Sequence, residues 1–181
     1  MPVVRKGDSM EFLFETDYSS KALTAMAKAV RKTVRKKHSR RSHIFGWIVL
    51  ILALLLVLPL GEDASFEARD IITLAVSVIL LLVLIFEDRL NGFIAGKRML
   101  PGMKKNSAVF TEENYTTSNE MGKTEWFYDK VDALAENAEY FVFVFGNNHA
   151  QVYAKSGLSG GTADEFRSFI TEKTGKTVLK I

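Results

Sequence analysis

The sequence predicts a membrane α+β protein: a two-helix transmembrane hairpin plus a small, partly open β-barrel closed by a carboxy-terminal helix. Three observations predict it. Two apolar runs, residues 44–60 and 71–86, contain no Asp, Glu, Lys or Arg. Their outer flanks are basic and the loop between them, 61–70, is acidic. Beyond residue 106 the pattern changes to short alternating stretches, and these end in one amphipathic segment with a helix cap.

Composition sets the frame. The chain has 181 residues, with 24 Lys and Arg against 21 Asp and Glu, for a net charge of +3. The distribution of that charge says more than its sum. The absence of cysteine excludes disulfides, thiolate catalysis and Cys-based zinc sites.

The amino-terminal segment, 1–43, reads as a cytoplasmic strand followed by a basic amphipathic helix. Residues 10–15 alternate, with Phe12 and Phe14 on one face. Asp17 or Ser19 caps a helix predicted to run to about Lys37. Its stripe is Leu23, Met26, Val30 and Val34, predicted to pack on the carboxy-terminal domain. Lys28, Arg31, Lys32, Arg35, Lys36, Lys37, Arg40 and Arg41 form a basic cluster. Next to a membrane span, such a cluster either sets topology or contacts anionic lipid, where each cation contributes ~1 kcal/mol. Nucleic-acid binding is disfavoured, because no aromatic residues interleave with the cations.

The apolar runs are 17 and 16 residues long, near the lower limit of about 17 for a spanning helix. Flanking residues extend both. Neither run has a polar stripe, which suits a span and not a surface helix. Lys and Arg counts orient the hairpin: eight in 28–43, one in the loop and five in 87–105. The positive-inside rule then puts both termini in the cytoplasm and the loop outside. A signal peptide is disfavoured by the long leading segment and the lack of a small-residue cleavage site. Pro59 bends or ends the first span. The spans hold no ionisable residue of the kind ion pathways use. Thr73 and Ser77, one turn apart, are predicted to pair the two helices by hydrogen bonding.

Residues 87–105 read as a linker, with Gly92, Gly96, Pro101 and Gly102. Strands follow at 107–111, then at 114–118 and 124–128 around a turn at 119–122. The 130–135 stretch is ambiguous between periods. The strongest strand is 139–145, with Phe141, Phe143 and Phe145 facing one way and Tyr140, Val142 and Val144 the other. Gly146-Asn147-Asn148 is turn chemistry, and 150–155 returns as the hairpin partner. Thr162 to Glu165 has capping-box form. Phe166, Phe169 and Ile170 make the buried face of the helix, and Gly175 stops it. Strands closed by one such helix describe a pleckstrin-homology (PH) type of architecture for residues 106–181.

The stretch Trp126…Val131…Glu136…Tyr140-Phe-Val-Phe-Val-Phe-Gly…Ala150-Gln-Val-Tyr-Ala-Lys155…Glu165-Phe-Arg…Phe169 resembles the carboxy-terminal domain of the YcxB-like family. Those are bacterial membrane proteins with a two-helix hairpin and a PH-like cytoplasmic domain. The resemblance implies that architecture and brings no chemistry with it. Ala154 stands where the family usually has proline before Lys155.

No chemical constellation emerges, so neither catalysis nor a cofactor is expected. His38, His43 and His149 lack metal-ligand spacing. Gly175-Lys176-Thr177 lacks the earlier glycine of a phosphate loop, since position 170 is Ile, and no strand precedes it. The glycines at 157, 160 and 161 read as a connector. Asp129, Asp132 and Glu136 read as a solvated acidic face. The expected function is a membrane-anchored binding or scaffold protein whose PH-like domain recognises a protein partner, a second copy being one candidate. Strand 150–155 and the exposed face of the closing helix are the candidate surfaces. The alternatives are an accessory subunit of a transporter or channel assembly, acting through the hairpin, and an anionic-lipid sensor acting through the basic helix.

Overall fold

The computed structural model describes residues 11–58, 67–146 and 148–181. The expected turn residue Asn147, the Pro59 bend, the start of the first strand at Met10 and the loop up to residue 66 lie outside the described residues.

Strand β1 (Phe12–Asp17) buries Phe12, Phe14 and Thr16 and exposes the residues between them. Ser19 then caps α1 (Ser20–Lys32), with the Ala22 N–H donating to its Oγ at 3.3 Å. The helix does not run to Lys37 as expected. It ends at Thr33, and α2 (Lys36–Val57) begins after a break at Thr33–Arg35. Helix α3 (Ala68–Arg98) begins inside the expected loop, where Glu67 and Asp70 form a capping box. It bends at Phe86, the one residue with non-helical backbone angles.

α2 and α3 are each long and apolar enough to cross a membrane. Their outward side chains, among them Leu52, Leu56, Ile72 and Ile79, are exposed. They meet through a narrow seam. Gly46 sits so close to Leu84 that a Cβ would come within 2.7 Å of its Cδ2.

Residues 87–98, expected as linker, are the last three turns of α3. The glycines there serve a helix crossing. A Cβ on Gly92 would lie 2.8 Å from the backbone nitrogen of Thr24, and one on Gly96 would lie 3.2 Å from Leu23 Cδ1. Glycine inside a helix costs up to about 1 kcal/mol, and here it lets α1 approach α3 backbone to backbone.

The remaining strands are β2 (Lys105–Phe110), β3 (Tyr115–Asn119), β4 (Gly122–Trp126), β5 (Ala133–Glu136), β6 (Tyr140–Phe145), β7 (His149–Ala154), β8 (Leu158–Ser159) and β9 (Val178–Lys180). Helix α4 (Ala163–Thr174) lies between the last two. They form two sheets, ordered β4-β3-β2-β1-β8 and β7-β6-β5-β9. Pairing is antiparallel except for β9, which runs parallel to β5. Both sheets are open, neither closed on itself. Where closure would occur, β1 lies beside β7 without a ladder. The Ala154 N–H donates there to the Thr16 hydroxyl at 2.9 Å.

The amino-terminal strand is not a separate segment. Phe14 pairs opposite Ala108 and Leu158, across more than 90 residues. The division at residues 43 and 105 therefore falls inside one packed body.

That body has two cores, one on each face of the β5–β6–β7 sheet. Phe141 and Phe143 join Phe12, Phe14, Phe110, Tyr115 and α4 residues Phe166, Phe169 and Ile170. Val142, Val144 and Val152 join Ala22, Ala25 and Ala29 of α1. The alternation predicted for β6 is observed, as are the capping box, the Gly175 stop and the buried face of α4. Period-2 geometry thus sets α1 and α4 on opposite faces of one sheet.

Candidate functional site

The root of the apolar hairpin carries ion pairs that join three helices. Arg31 of α1 donates twice to Asp88 of α3, Nε to Oδ1 and Nη2 to Oδ2, both at 2.6 Å. The Asp88 carboxylate raises the Arg31 pKa above its ordinary value against a smaller opposing effect of burial. Glu87 lies 3.7 Å from the same guanidinium and 2.5 Å from His43 Nε2 of α2. Three helices are thus tied at one level. None of these pairs was readable from the sequence, because they join positions 44 to 57 residues apart. His43, expected as an interfacial polar residue, is half-buried with a carboxylate partner.

The predicted basic cluster splits. Arg31 is consumed by Asp88, and Lys28 is half-buried. Lys32, Arg35, Lys36, Lys37, Arg40 and Arg41 are exposed. Among the described residues, Arg31 is the only one of the eight with an acidic partner. The helix break at 33–35 places the exposed six on an elbow and on the first turns of α2.

Thr73 and Ser77 do not make the expected bonds between helices. Thr73 Oγ1 donates to Arg69 O at 2.9 Å and Ser77 Oγ to Thr73 O at 2.8 Å, each within its own helix. Ser77 is buried (2% exposed), so it contributes small size and not a cross-helix hydrogen bond.

The body contains one buried charge cluster. Glu136 is 3% exposed. Arg167 Nε and Nη2 each donate to it at 2.9 Å, and Lys155 Nζ does so at 3.0 Å. Burial pushes its carboxyl pKa up, but Arg167 and Lys155 outweigh that and hold it below the ordinary value. Both carboxylate oxygens are engaged, so Glu136 clasps β5 to α4 and to the end of β7 and is no free base. A cleft of about 330 Å³ opens beside it, lined also by Asn137 and Lys180. Of the expected solvated acidic face, Asp129 and Asp132 are exposed, the first paired with Lys130 and the second accepting the Gly146 N–H, while Glu136 turns inward.

Tyr115 and Tyr153 both donate to Gln151 Oε1, at 2.9 and 2.5 Å, deep in the aromatic core. Burial raises both hydroxyl pKa values, which keeps them protonated donors. His149 stacks on Trp126 with ring centroids 5.6 Å apart. Among the described residues, no group of three or more metal-ligating side chains occurs.

Among the described residues of the body, two open surfaces could seat a partner segment. One is a groove of about 460 Å³ along α4, lined by Glu112, Asp164, Glu165, Glu172, Phe169 and Lys173. The other is the outer edge of β4, the end strand of its sheet, exposed from Gly122 to Glu125. Met121 and Phe127, on either side of it, are 63% and 52% exposed. Strand β7, the edge expected from the sequence, is covered. Ala150 to Tyr153 are buried, α1 residues pack on them, and Ala154 is bonded to Thr16.

Residues 110–170 match the YcxB-like protein family. The match runs from the last residue of β2 into α4, and it is the family that the strand and helix motifs resemble. The YcxB-like segment holds the whole Glu136–Lys155–Arg167 clasp, the β4 edge and most of the α4 groove, whose Glu172 and Lys173 lie beyond it. The basic elbow and the apolar hairpin lie outside it. No curated protein and no solved structure is detectably similar to the chain.

Proposed function

We propose that the protein is a two-span membrane anchor carrying a PH-like cytoplasmic module that binds another protein and catalyses nothing. The observation that carries this reading is the β4 edge. It offers unpaired backbone groups over Gly122–Trp126 between two exposed apolar side chains. An extended segment added there gains main-chain hydrogen bonds and apolar contacts together. Lys123 and Glu125 share one face of β4. They discourage indiscriminate pairing and ask for opposite charges on the incoming strand. Of the other end strands, β9 offers three residues and β8 two.

The anchor reading draws on both flanks of the hairpin. β1 and α1 precede it, β2 follows it, and both enter one body. That supports a hairpin whose two ends emerge on the same side. The excess of Lys and Arg on those flanks supports the cytoplasmic side of an inner membrane. The α4 helix across the aromatic face supports the PH-like description.

The test is site-specific photo-crosslinking in cells, with the reactive side chain at Lys123, Thr124 or Glu125 of the full chain. Successive positions should capture successive residues of one extended segment, in a second protein or a second copy. Capture from Thr73 on the hairpin with none from β4 would overturn the reading and favour an accessory membrane subunit.

A further inference from the structure

The exposed part of the basic cluster is built into the same helix face that is apolar further on. On α2, Ser39, Gly46 and Leu50 are buried and His43 is half-buried against α3. The opposite face carries Lys37 and Arg41, then Ile44 and Ile48, and Lys36, Arg40 and Trp47 run along its flank; Ile44, Trp47 and Ile48 are each about half exposed. Arg40 and Trp47 are seven residues apart, two turns on one line, or about 10 Å of rise. Among the described residues, the two acids at this level are already paired: Asp88 with Arg31, and Glu87 with His43 and Arg31.

A second helix marks the same level independently. Beyond Phe86, α3 keeps an exposed apolar ridge of Leu90, Phe93 and Ile94. Its cations fold back on aromatic rings, with Arg89 over Phe86 and Lys97 over Phe93, each 5.5 Å from the ring centroid. Apolar bodies with cationic tips suit the headgroup zone, where stems stay buried and charges reach phosphate.

We infer that Lys36, Lys37, Arg40 and Arg41 form an anionic-lipid site that gathers acidic phospholipid headgroups around the root of the hairpin. The His43–Glu87 pair holds α2 against α3, and Arg31–Asp88 holds α1 there, so that the cations look into the leaflet. Charge complementarity and the unbroken run from cations to apolar side chains select lipid as the occupant. A nucleic acid would have no use for the apolar continuation. The inference rests on the proposal that the hairpin crosses a membrane, and its test separates the two.

Trp47 is the reporter, half exposed on the flank of α2 in line with Arg40. Trp126, the only other Trp, is half-buried in the sheet beside Tyr115 and His149 and supplies background. The full chain is reconstituted in symmetric vesicles of phosphatidylcholine with about one third phosphatidylglycerol, so that orientation does not matter. One arm carries dibrominated phosphatidylglycerol and the other dibrominated phosphatidylcholine. The expected result is quenching by the acidic lipid about threefold beyond its share of the mixture. Raised salt or the K36Q/K37Q/R40Q/R41Q variant should abolish that excess, while K104Q/K105Q should leave it intact. Quenching in proportion to composition in the unmodified chain would overturn the lipid site and leave the anchor standing. No quenching by either lipid would overturn both.

Discussion

The two faces of the β5–β6–β7 sheet are packed by opposite means. One face is filled with rings: Phe166 of α4 alone lies within 6.4 Å, centroid to centroid, of Phe12, Phe14, Phe110, Phe141, Phe143 and Phe169. The other is filled with Val142, Val144, Val152 and the alanines of α1, and behind α1 comes α3 with Gly92 at the contact. Large side chains bury area and let a body stand by itself. Small ones bury less but let backbones touch, so the position of the apolar hairpin is transmitted to the sheet through short, stiff contacts. The aromatic face makes the body; the alanine face attaches it.

Substitutions on each face separate these roles. Phe166→Ala should have the largest effect, a loss of about 3–5 kcal/mol, read by chemical denaturation in detergent. A loss below about 1 kcal/mol would mean that the rings are not the main core.

Glu136→Gln should follow, at about 2–3 kcal/mol, because it leaves Arg167 and Lys155 without their acceptor. The figure is kept low because the Arg167 side chain is 33% exposed. The pH dependence sharpens the point. The folded pKa lies below the ordinary 4.5, so the stabilisation is present above that value and fades as pH falls through the folded pKa. A melting profile of the unmodified chain should drop in that acidic window. The Gln variant should lack the Glu136 share of the drop.

Gly92→Ala attacks the other face. The added Cβ must push Thr24 away, at a cost of about 1–3 kcal/mol. Hydrogen exchange should show α1 losing protection while β6 keeps its own; equal loss in both would erase the distinction drawn above. Ser77→Ala should have the smallest effect, within about 0.5 kcal/mol, because its hydroxyl bonds only to its own helix. A larger loss of helix association would restore the cross-helix role expected of it.

Much of this fold is legible locally. β6 shows its two faces in six consecutive residues, and α4 announces its start with Thr162 and Glu165 and its end with Gly175. The apolar runs announce α2 and α3. The candidate site was less legible. The cations of the elbow are plain in the sequence, yet nothing there says that Arg31 is spent on Asp88 while Arg40 stays exposed. The glycines at 92 and 96 have the composition of a linker, and only the crossing helix reveals their use. The 150–155 edge reads as open because β1, which lies beside it, is more than 130 residues earlier in the chain.

By itself, then, the sequence determined what short-range physics governs: the two apolar helices, the period-2 strands, the caps and the basic flanks. Tertiary structure alone decided that β1 pairs with β2 and β8, that β9 adds parallel to β5, which strand edge stays open and which charges are neutralised. Those outcomes depend on which distant surfaces meet. Periodicity reports the face a residue lies on, but not the partner that face will find.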